Sequence, residues 1–270
     1  MVVQHNLRAM NSNRMLGLTQ STQAKSTENL SSGYKINRAA DDAAGLAISE
    51  KMRRQIRGLT QASENAQDGI SCVQTAEGAL NEVHDMLQRM NELAVQAANG
   101  TNETEDRNYI NEEMTLLKEE ITRTANDTTF NKKNLLNGTT TSLTLHVGTE
   151  AGNTITFALQ DVKADTLGVS AVDITTSANA RTALGTIDTA IQSLSSFRAK
   201  LGAVQNRLEH TINNLDNVVE NTTAAESQIR DTDMATEMVK YSNNNILAQA
   251  GQAMLAQSNQ ANQGVLSLLQ

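Results

Sequence analysis

The feature that most constrains the fold is a run of apolar or small residues that recur at alternating intervals of three and four positions. The run consists of Leu59, Ala62, Ala66, Gly69, Val73, Ala76, Leu80, Val83, Leu87, Met90, Ala94 and Ala97. This spacing puts one stripe along a helix and is typical of a coiled coil or helical bundle. The chain contains no proline, so its composition permits long helices. We therefore predict a helix over residues 42–98, capped by Asp41 and Asp42 and ended by Asn99 and Gly100.

Three other segments show a regular pattern. A helix over residues 104–126 is predicted from a shorter apolar stripe. A helix over residues 177–223 carries a second line at three-and-four spacing, in which Arg198 and Gln205 are polar: Leu184, Ile187, Ile191, Leu194, Arg198, Leu201, Gln205, Leu208, Ile212, Leu215 and Val219. Phe197, Val204 and Val218 lie one position earlier and widen this line. Alternating residues at 143–147 and 154–159 flank a turn-rich segment and predict a β-hairpin. The pattern as a whole predicts a mainly α fold, a long antiparallel helical coiled-coil or bundle rod with a small β-hairpin.

The two ends are compatible with helices but offer only a weak core, because their apolar residues are surrounded by Asn, Gln, Ser and Ala. Residues 241–270 contain no Asp, Glu, Lys or Arg. Because solvent-facing helices normally carry charge, we expect both ends to pair with each other, as a terminal helix pair, and with other subunits. A flexible polar tail is the alternative to a segment that folds on assembly. The apolar residues assigned to assembly are Val3, Leu7, Ile246, Leu247, Met254, Leu255, Val265, Leu266 and Leu269.

Charge and composition exclude several classes of function. The net charge is −8, and the basic residues of the first forty positions are spread along the chain, so no nucleic-acid partner is predicted. No apolar run is long enough for membrane insertion, and no cleavable signal is recognisable, which predicts a cytosolic chain or export by another route. Cys72 lies inside the helical repeat and is expected to be a buried hydrophobe. No metal-binding, nucleotide-binding or catalytic motif is present, so we predict no enzyme activity, no cofactor and no metal.

Two terminal blocks carry a family resemblance. Residues 29–59, NLSSGYKINRAADDAAGLAISEKMRRQIRGL, closely resemble the N-terminal block of bacterial flagellins, and residues 225–270 are similar to their C-terminal block. The resemblance implies a short flagellin without the outer variable domains of larger relatives. Its implied parts are an inner core domain from residues 1–40 and 227–270, and a rod domain from residues 41–127, a hairpin region at 128–176 and a helix at 177–226.

The resemblance also implies a function. Flagellins are structural subunits that polymerise into the extracellular flagellar filament, after export in an unfolded form by the flagellar type III apparatus. The implied partners are further copies of the chain, the export apparatus and its chaperone, and the filament cap and junction proteins. A flagellar hook–filament junction protein, which has related ends, is the alternative.

A receptor site is implied on the same ground. Many flagellins are recognised by the host Toll-like receptor 5, and LQRMNELAVQ at residues 87–96 resembles the motif that it contacts. The matching positions are Arg89, Leu93 and Gln96, with Glu113 in the following helix. The first three lie off the apolar line at i, i+4 and i+7, so we predict a stripe on the outside of the bundle, with Leu93 exposed. Packing of this stripe against a neighbouring subunit is the alternative.

Overall fold

The computed structural model describes residues 6–267, with the side chains of residues 6–261. Within this range the helices are α1 (Leu7–Ser32), α2 (Ala43–Ala98), α3 (Thr104–Asp127), α4 (Ser177–Arg230) and α5 (Met234–Ser267). The strands are β1 (Thr129–Phe130), β2 (Lys133–Asn134), β3 (Ser142–His146) and β4 (Thr154–Ala158). The chain divides into two compact units, one formed by Gln55–Glu220 and the other by the residues before and after it. The predicted mainly α fold, with a hairpin and a terminal helix pair, is confirmed.

The apolar line on α2 forms the core of the unit Gln55–Glu220. Every predicted position from Leu59 to Ala97 is buried. Helix α4 lies along one side of α2. The two helices are antiparallel, since α4 begins where α2 ends: the hydroxyl of Ser177, the first residue of α4, donates to the carbonyl of Ala98, the last residue of α2, over 2.9 Å. The helix is therefore packed as the spacing predicts.

The second predicted line, on α4, is partly wrong. Its positions Ile187, Leu194, Leu201, Leu208 and Leu215 are buried, as predicted. The alternate positions lie one residue earlier than predicted, since Ala183, Ala190 and Phe197 are buried while Leu184, Ile191 and Arg198 are only partly so.

Arg198 and Gln205 therefore lie beside the packed line of α4 and not within it. At that edge Arg198 places Nη2 at 3.7 Å from Oε1 of Glu77. A long basic side chain can pack its stem on apolar neighbours there while its charge stays in contact with water, which avoids the cost of burial. The helix also continues past its predicted end at residue 223, to Arg230.

The predicted hairpin is confirmed and packs on α2. In its register Leu143 faces Phe157 and Leu145 faces Ile155, and the latter residue of each pair is buried. Leu145 lies so close to Gly69 of α2 that a Cβ at Gly69 would overlap it. The Asn65 side chain also donates to the carbonyl of His146 over 2.9 Å.

An irregular segment, residues 160–175, completes this core, although its sequence shows no regular apolar spacing. Its buried side chains are Val162, Ala164, Val169, Val172 and Ile174. Lys118 of α3 holds the segment in place, because its ammonium group donates to the carbonyls of Ser170 and Val172. Burial lowers the pKa of Lys118.

Only one of the two aspartates before α2 caps this helix, although both were predicted to do so. Asp42 caps α2 as expected, because its Oδ1 accepts the N–H of Gly45 over 2.9 Å. Asp41 does not cap the helix. Its carboxylate accepts the backbone N–H groups of Asn37 and Arg38 and lies 2.7 Å from Nζ of Lys25. Chiefly through the Lys25 hydrogen bond, these contacts lower the pKa of Asp41 to about 2.

Candidate interaction surfaces

The terminal helices α1 and α5 are each started by a polar side chain. Asn6 caps α1, and its Oδ1 accepts a backbone N–H of the first turn over 3.0 Å. Asp233 precedes α5 and accepts the N–H of Ala235 over 2.9 Å and the hydroxyl of Thr236 over 2.8 Å. These hydrogen bonds, led by the one from Thr236, lower the pKa of Asp233. A capping side chain that is adjacent in sequence therefore stabilises the N-terminus of each helix.

The two terminal helices pair in antiparallel orientation. At one end the Asn6 amide donates to the carbonyl of Ser258 over 3.2 Å. At the other end Glu237 of α5 is buried, and hydrogen bonds led by the one with Ser26 of α1 lower its pKa. The predicted pairing of the two ends is therefore present within a single chain.

The residues that α1 and α5 turn towards each other are mostly small or polar. They are buried or half-buried and recur at three-and-four spacing, and we call them the polar seam: Ala9, Ser12, Leu16, Thr19, Gln23 and Ser26 of α1, with Glu237, Tyr241, Asn244, Ala248, Gly251, Leu255 and Ser258 of α5. A Cβ on Gly251 would lie 3.3 Å from Cδ1 of Leu16, so the helices approach closely there. The seam buries little large apolar surface, which limits what it contributes to stability.

The large apolar side chains of the terminal helices lie mostly outside the polar seam, in water. At least half of the surface is exposed for Leu7, Met10, Met15, Leu18, Met234, Met238, Val239, Ile246, Leu247 and Met254. Among the side chains that the structure describes in α1 and α5, no Leu, Ile, Val or Met is buried. Apolar surface of this extent marks a site of interaction with other molecules.

The residues assigned to assembly differ in where the structure places them. Leu7 is 69% exposed and Ile246 is 64% exposed, and Leu247 and Met254 are exposed as well. Leu255 belongs to the polar seam and is half-buried. Val3 and Leu269 lie outside the described residues, and the side chains of Val265 and Leu266 are also outside them. The exposed set further includes Met10, Met15, Leu18, Met234, Met238 and Val239, which their apolar character in helices without a core could have indicated.

A second cluster, which the sequence analysis missed, joins the segments that follow α1 and α4. Tyr34 and Asp231 form an isolated antiparallel bridge. The guanidinium of Arg230 lies 4.7 Å from the centre of the Tyr34 ring and donates to Oε1 of Glu50 over 2.9 Å. This hydrogen bond is the main reason why the pKa of Glu50 is lowered. The cluster connects α2, α4 and the turn after α1 through one arginine.

The predicted receptor residues lie where α2 and α3 pack against each other. Arg89 donates from Nε to Oε1 of Glu113 over 2.9 Å and from Nη1 to Oε2 of Glu92 over 3.0 Å. The hydrogen bond with Glu113 is the main reason why the pKa of Arg89 is raised. Arg89, Gln96 and Glu113 are exposed, so these three side chains share a region of accessible surface on the α2–α3 pair.

The prediction that Leu93 is exposed is wrong, because this side chain is only 1% exposed and belongs to the core. The physical reason is that α2 is covered on two sides. Arg107 of α3 donates to the carbonyl of Ala97 over 3.0 Å, so α3 runs antiparallel beside the end of α2 and buries a sector next to the apolar line. Leu93 therefore lies beneath the surface that Arg89 and Gln96 form.

The remaining properties of the described residues that bear on function are the state of the Cys72 thiol, the grouping of metal-binding side chains and the apolar character of the helices. Cys72 is buried, and burial raises the pKa of its thiol. In residues 6–267 no three His, Cys, Asp or Glu side chains are grouped so that they could hold a metal ion. None of the helices in the described part of the chain has a stretch that is apolar and long enough to cross a membrane.

Comparisons with known proteins agree over the whole chain. Residues 3–141 match the family model of the bacterial flagellin N-terminal helical region, and residues 184–269 match the bacterial flagellin C-terminal helical region. Over 100% of both chains, the sequence is 55% identical to a flagellin of Halalkalibacterium halodurans and 49% identical to the flagellar filament 31.3 kDa core protein of Treponema maltophilum. The crystal structure of Bacillus cereus flagellin is similar with a TM-score of 0.52 and 34% identity, covering 56% of this chain and 88% of that one.

Proposed function

Since the chain belongs to the bacterial flagellin family and is a structural filament subunit, not an enzyme, we propose that it polymerises through its terminal helices. In this proposal the inner core domain comprises residues 1–40 and 227–270. The rod domain comprises residues 41–127, 128–176 and 177–226. Each part of the inner core domain falls within the compact unit that excludes Gln55–Glu220, and that unit also contains residues 41–54 and 221–226, which the proposal assigns to the rod domain.

The observation that carries the proposal is the exposure of large apolar side chains on α1 and α5. Removing one Leu, Ile or Met side chain fully from water contributes roughly 1.5–3 kcal/mol. A single chain leaves these side chains in water, and its polar seam offers no place to bury them. Contacts with several other copies can bury them, and repeated head-to-tail contacts of this kind build a helical filament.

Because the polar seam lies within one chain, α1 and α5 pair with each other before the subunit joins other copies in this mechanism. Within one chain the small side chains of the seam let α1 and α5 lie close together, and at one end the Asn6 amide adds a hydrogen bond to the carbonyl of Ser258. Helix pairs of this composition are weakly stabilised alone. Most of the favourable free energy then comes when the outward apolar side chains enter contacts with neighbouring subunits, so that ordering of the ends is coupled to assembly.

Truncation tests the proposal. A variant without residues 241–270 is expected to form no filaments when purified protein is seeded with filament fragments and imaged by electron microscopy. Its α2 and α4 should remain helical by circular dichroism, because the core of Gln55–Glu220 is intact. Normal filaments from the truncated chain would refute the proposal.

A matched pair of substitutions sharpens this test. Ile246→Gln places a polar amide at an exposed position of α5 and should reduce seeded growth at least tenfold. Ile246→Leu keeps the apolar surface and should polymerise normally. Equal growth of the two variants would show that the outward apolar surface at this position plays no part in assembly.

The remaining partners follow from family membership. We infer that the chain is secreted through the flagellar export apparatus with the help of its chaperone, and that in the extracellular filament it meets the cap and junction proteins. A role as a hook–filament junction protein was the alternative. The 55% identity to a flagellin over the full length of both chains favours the filament subunit.

We also infer that the monomer is recognised by Toll-like receptor 5 of the host. Support comes from the exposed group of Arg89, Gln96 and Glu113, in which an ion pair holds two charged side chains of different helices together. In this proposal Leu93 acts from below, because it supports the α2 surface by packing in the core. Assembly can use the same surface, so the receptor would read it on free subunits.

A further inference from the structure

We propose that the methionines on the terminal helices form an oxidation-sensitive site, at which a peroxide converts the free subunit into a form that cannot assemble. The inference rests on the proposed function, because it concerns the same outward surface of α1 and α5. It adds a chemical modification, its reagent class and its consequence for the subunit.

The methionines of this chain fall into contrasting environments. Five on α1 and α5 have between 50% and 63% of their surface exposed: Met10, Met15, Met234, Met238 and Met254. In the unit Gln55–Glu220, Met90 and Met114 are fully buried in the core. Because methionine oxidation follows access of the oxidant to sulfur, the five should react first, and the buried pair serves as an internal reference.

The modification is a two-electron oxygen transfer. A lone pair of the thioether sulfur attacks one oxygen of hydrogen peroxide, the S–O bond forms and the O–O bond breaks. The departing oxygen takes up the proton of the transferred oxygen and leaves as water. Sulfur is oxidised to the sulfoxide and the peroxide is reduced. The product is a polar side chain with a strong hydrogen-bond acceptor, which is costly to bury in an apolar contact.

The position of these methionines separates assembly from folding. None of the five belongs to the polar seam, so oxidation leaves the residues that pair α1 with α5 unchanged. Cys72 does not compete for the oxidant, because its thiol is buried and its raised pKa disfavours the reactive thiolate. An oxidised subunit should therefore keep its helices and lose only its contacts with other copies.

The experiment treats the purified full chain with hydrogen peroxide, locates sulfoxides by peptide mass spectrometry and measures seeded growth. We expect sulfoxides at the five exposed methionines before any at Met90 or Met114. We also expect an unchanged circular dichroism spectrum and at least a tenfold loss of growth. Methionine sulfoxide reductases A and B together, one for each sulfoxide epimer, with a thiol reductant should restore growth of the same sample. Normal growth of the fully oxidised chain would overturn the inference.

Variants identify the responsible sulfurs. A chain with leucine at all five exposed positions should polymerise and should continue to do so after peroxide treatment, whereas Met90→Leu should remain as sensitive as the parent. If the five-leucine chain grows poorly before treatment, rescue of the oxidised parent by the two reductases decides the question, and failure of rescue overturns the inference. An untreated parent that cannot polymerise refutes the proposed function itself, which is a different outcome from peroxide resistance.

Discussion

Arg89 of α2 donates its Nε–H to Oε1 of Glu113 on α3 across 2.9 Å, although the two residues lie 24 positions apart in the chain. Both side chains are close to half exposed, so solvent screens their attraction and the pair adds little to stability. Its main effect is geometric. It holds two opposite charges of different helices in one accessible place, one helical turn along α2 from the buried Leu93.

Arg89→Ala should weaken binding of the monomer to the Toll-like receptor 5 ectodomain while leaving the melting temperature nearly unchanged. The substitution removes an exposed charge that donates hydrogen bonds to Glu92 and Glu113 at the surface. Surface plasmon resonance and a thermal melt measure the two effects. Unchanged affinity would remove Arg89 from the proposed receptor site.

Leu93→Ala is the counterpart, because it changes the core beneath the same surface. Deleting a buried leucine side chain typically costs about 2–5 kcal/mol, so this variant should melt several degrees lower than the parent. A melting temperature like that of the parent would mean that Leu93 is not packed as the structure places it.

Leu80→Asp should destabilise the unit Gln55–Glu220 by at least about 3 kcal/mol. Leu80 is fully buried in the apolar line of α2, and an aspartate there has no partner for its charge. Asn81→Asp adds the same charge at the exposed neighbouring position and is the control. Chemical denaturation followed by circular dichroism should separate the two variants, and equal midpoints would contradict the packing of the line.

Gly69→Ala and Gly78→Ala should change stability in opposite directions. At Gly69 a methyl group meets Leu145 of the hairpin, which should cost about 1–2 kcal/mol, and adding Leu145→Val should recover much of it. At Gly78 the new Cβ would meet no described atom within 4 Å apart from its chain neighbours and the adjacent backbone of its own helix, so alanine should stabilise the helix by about 0.5–1 kcal/mol. Thermal melts of the three variants test this, and two single variants of the same sign would refute the seating of the hairpin on Gly69.

Asp41→Asn should lower thermal stability at neutral pH and have less effect in acid. The pKa of Asp41 is about 2, below its ordinary 3.8, so its carboxylate stabilises the folded state above pH 3.8. That contribution is lost as the pH falls towards 2, where the carboxylate takes up a proton in the folded state as well. Melting temperatures at pH 7 and pH 2 should therefore differ between parent and variant mainly at pH 7. Lys25→Met, which removes the main partner, should show the same trend.

The regular helices could be predicted because their packing follows from residue type and spacing. On α2 the large residues, such as Leu80 and Leu87, lie at the positions that face the core, so the spacing identifies the buried line. On α4 the core positions include Ala183 and Ala190, which are small, whereas the larger Leu184 and Ile191 lie beside them. Because the larger residues lie one position after the buried ones, the prediction from side-chain size placed these core positions of α4 one residue too far along the chain.

Other features depend on contacts that no local pattern reveals. Leu93 lies off the apolar line and is buried only because α3 folds back beside α2. Residues 160–175 fill the core without a regular spacing of apolar residues, and their position depends on Lys118, 52 residues before Ser170. The same holds for Arg230, whose partners Tyr34 and Glu50 lie far away in the sequence.

Pairing of α1 with α5 and contact with other subunits use different residues of the two helices, so mutations can change one without changing the other. The residues that match one terminal helix to the other, such as Ser12 and Asn244, differ from the outward ones, such as Leu18 and Leu247. Substitutions on the outward faces can accumulate without altering how the chain's two extremities find each other. Related chains can thus diverge in their mutual compatibility while each retains the same folded ends.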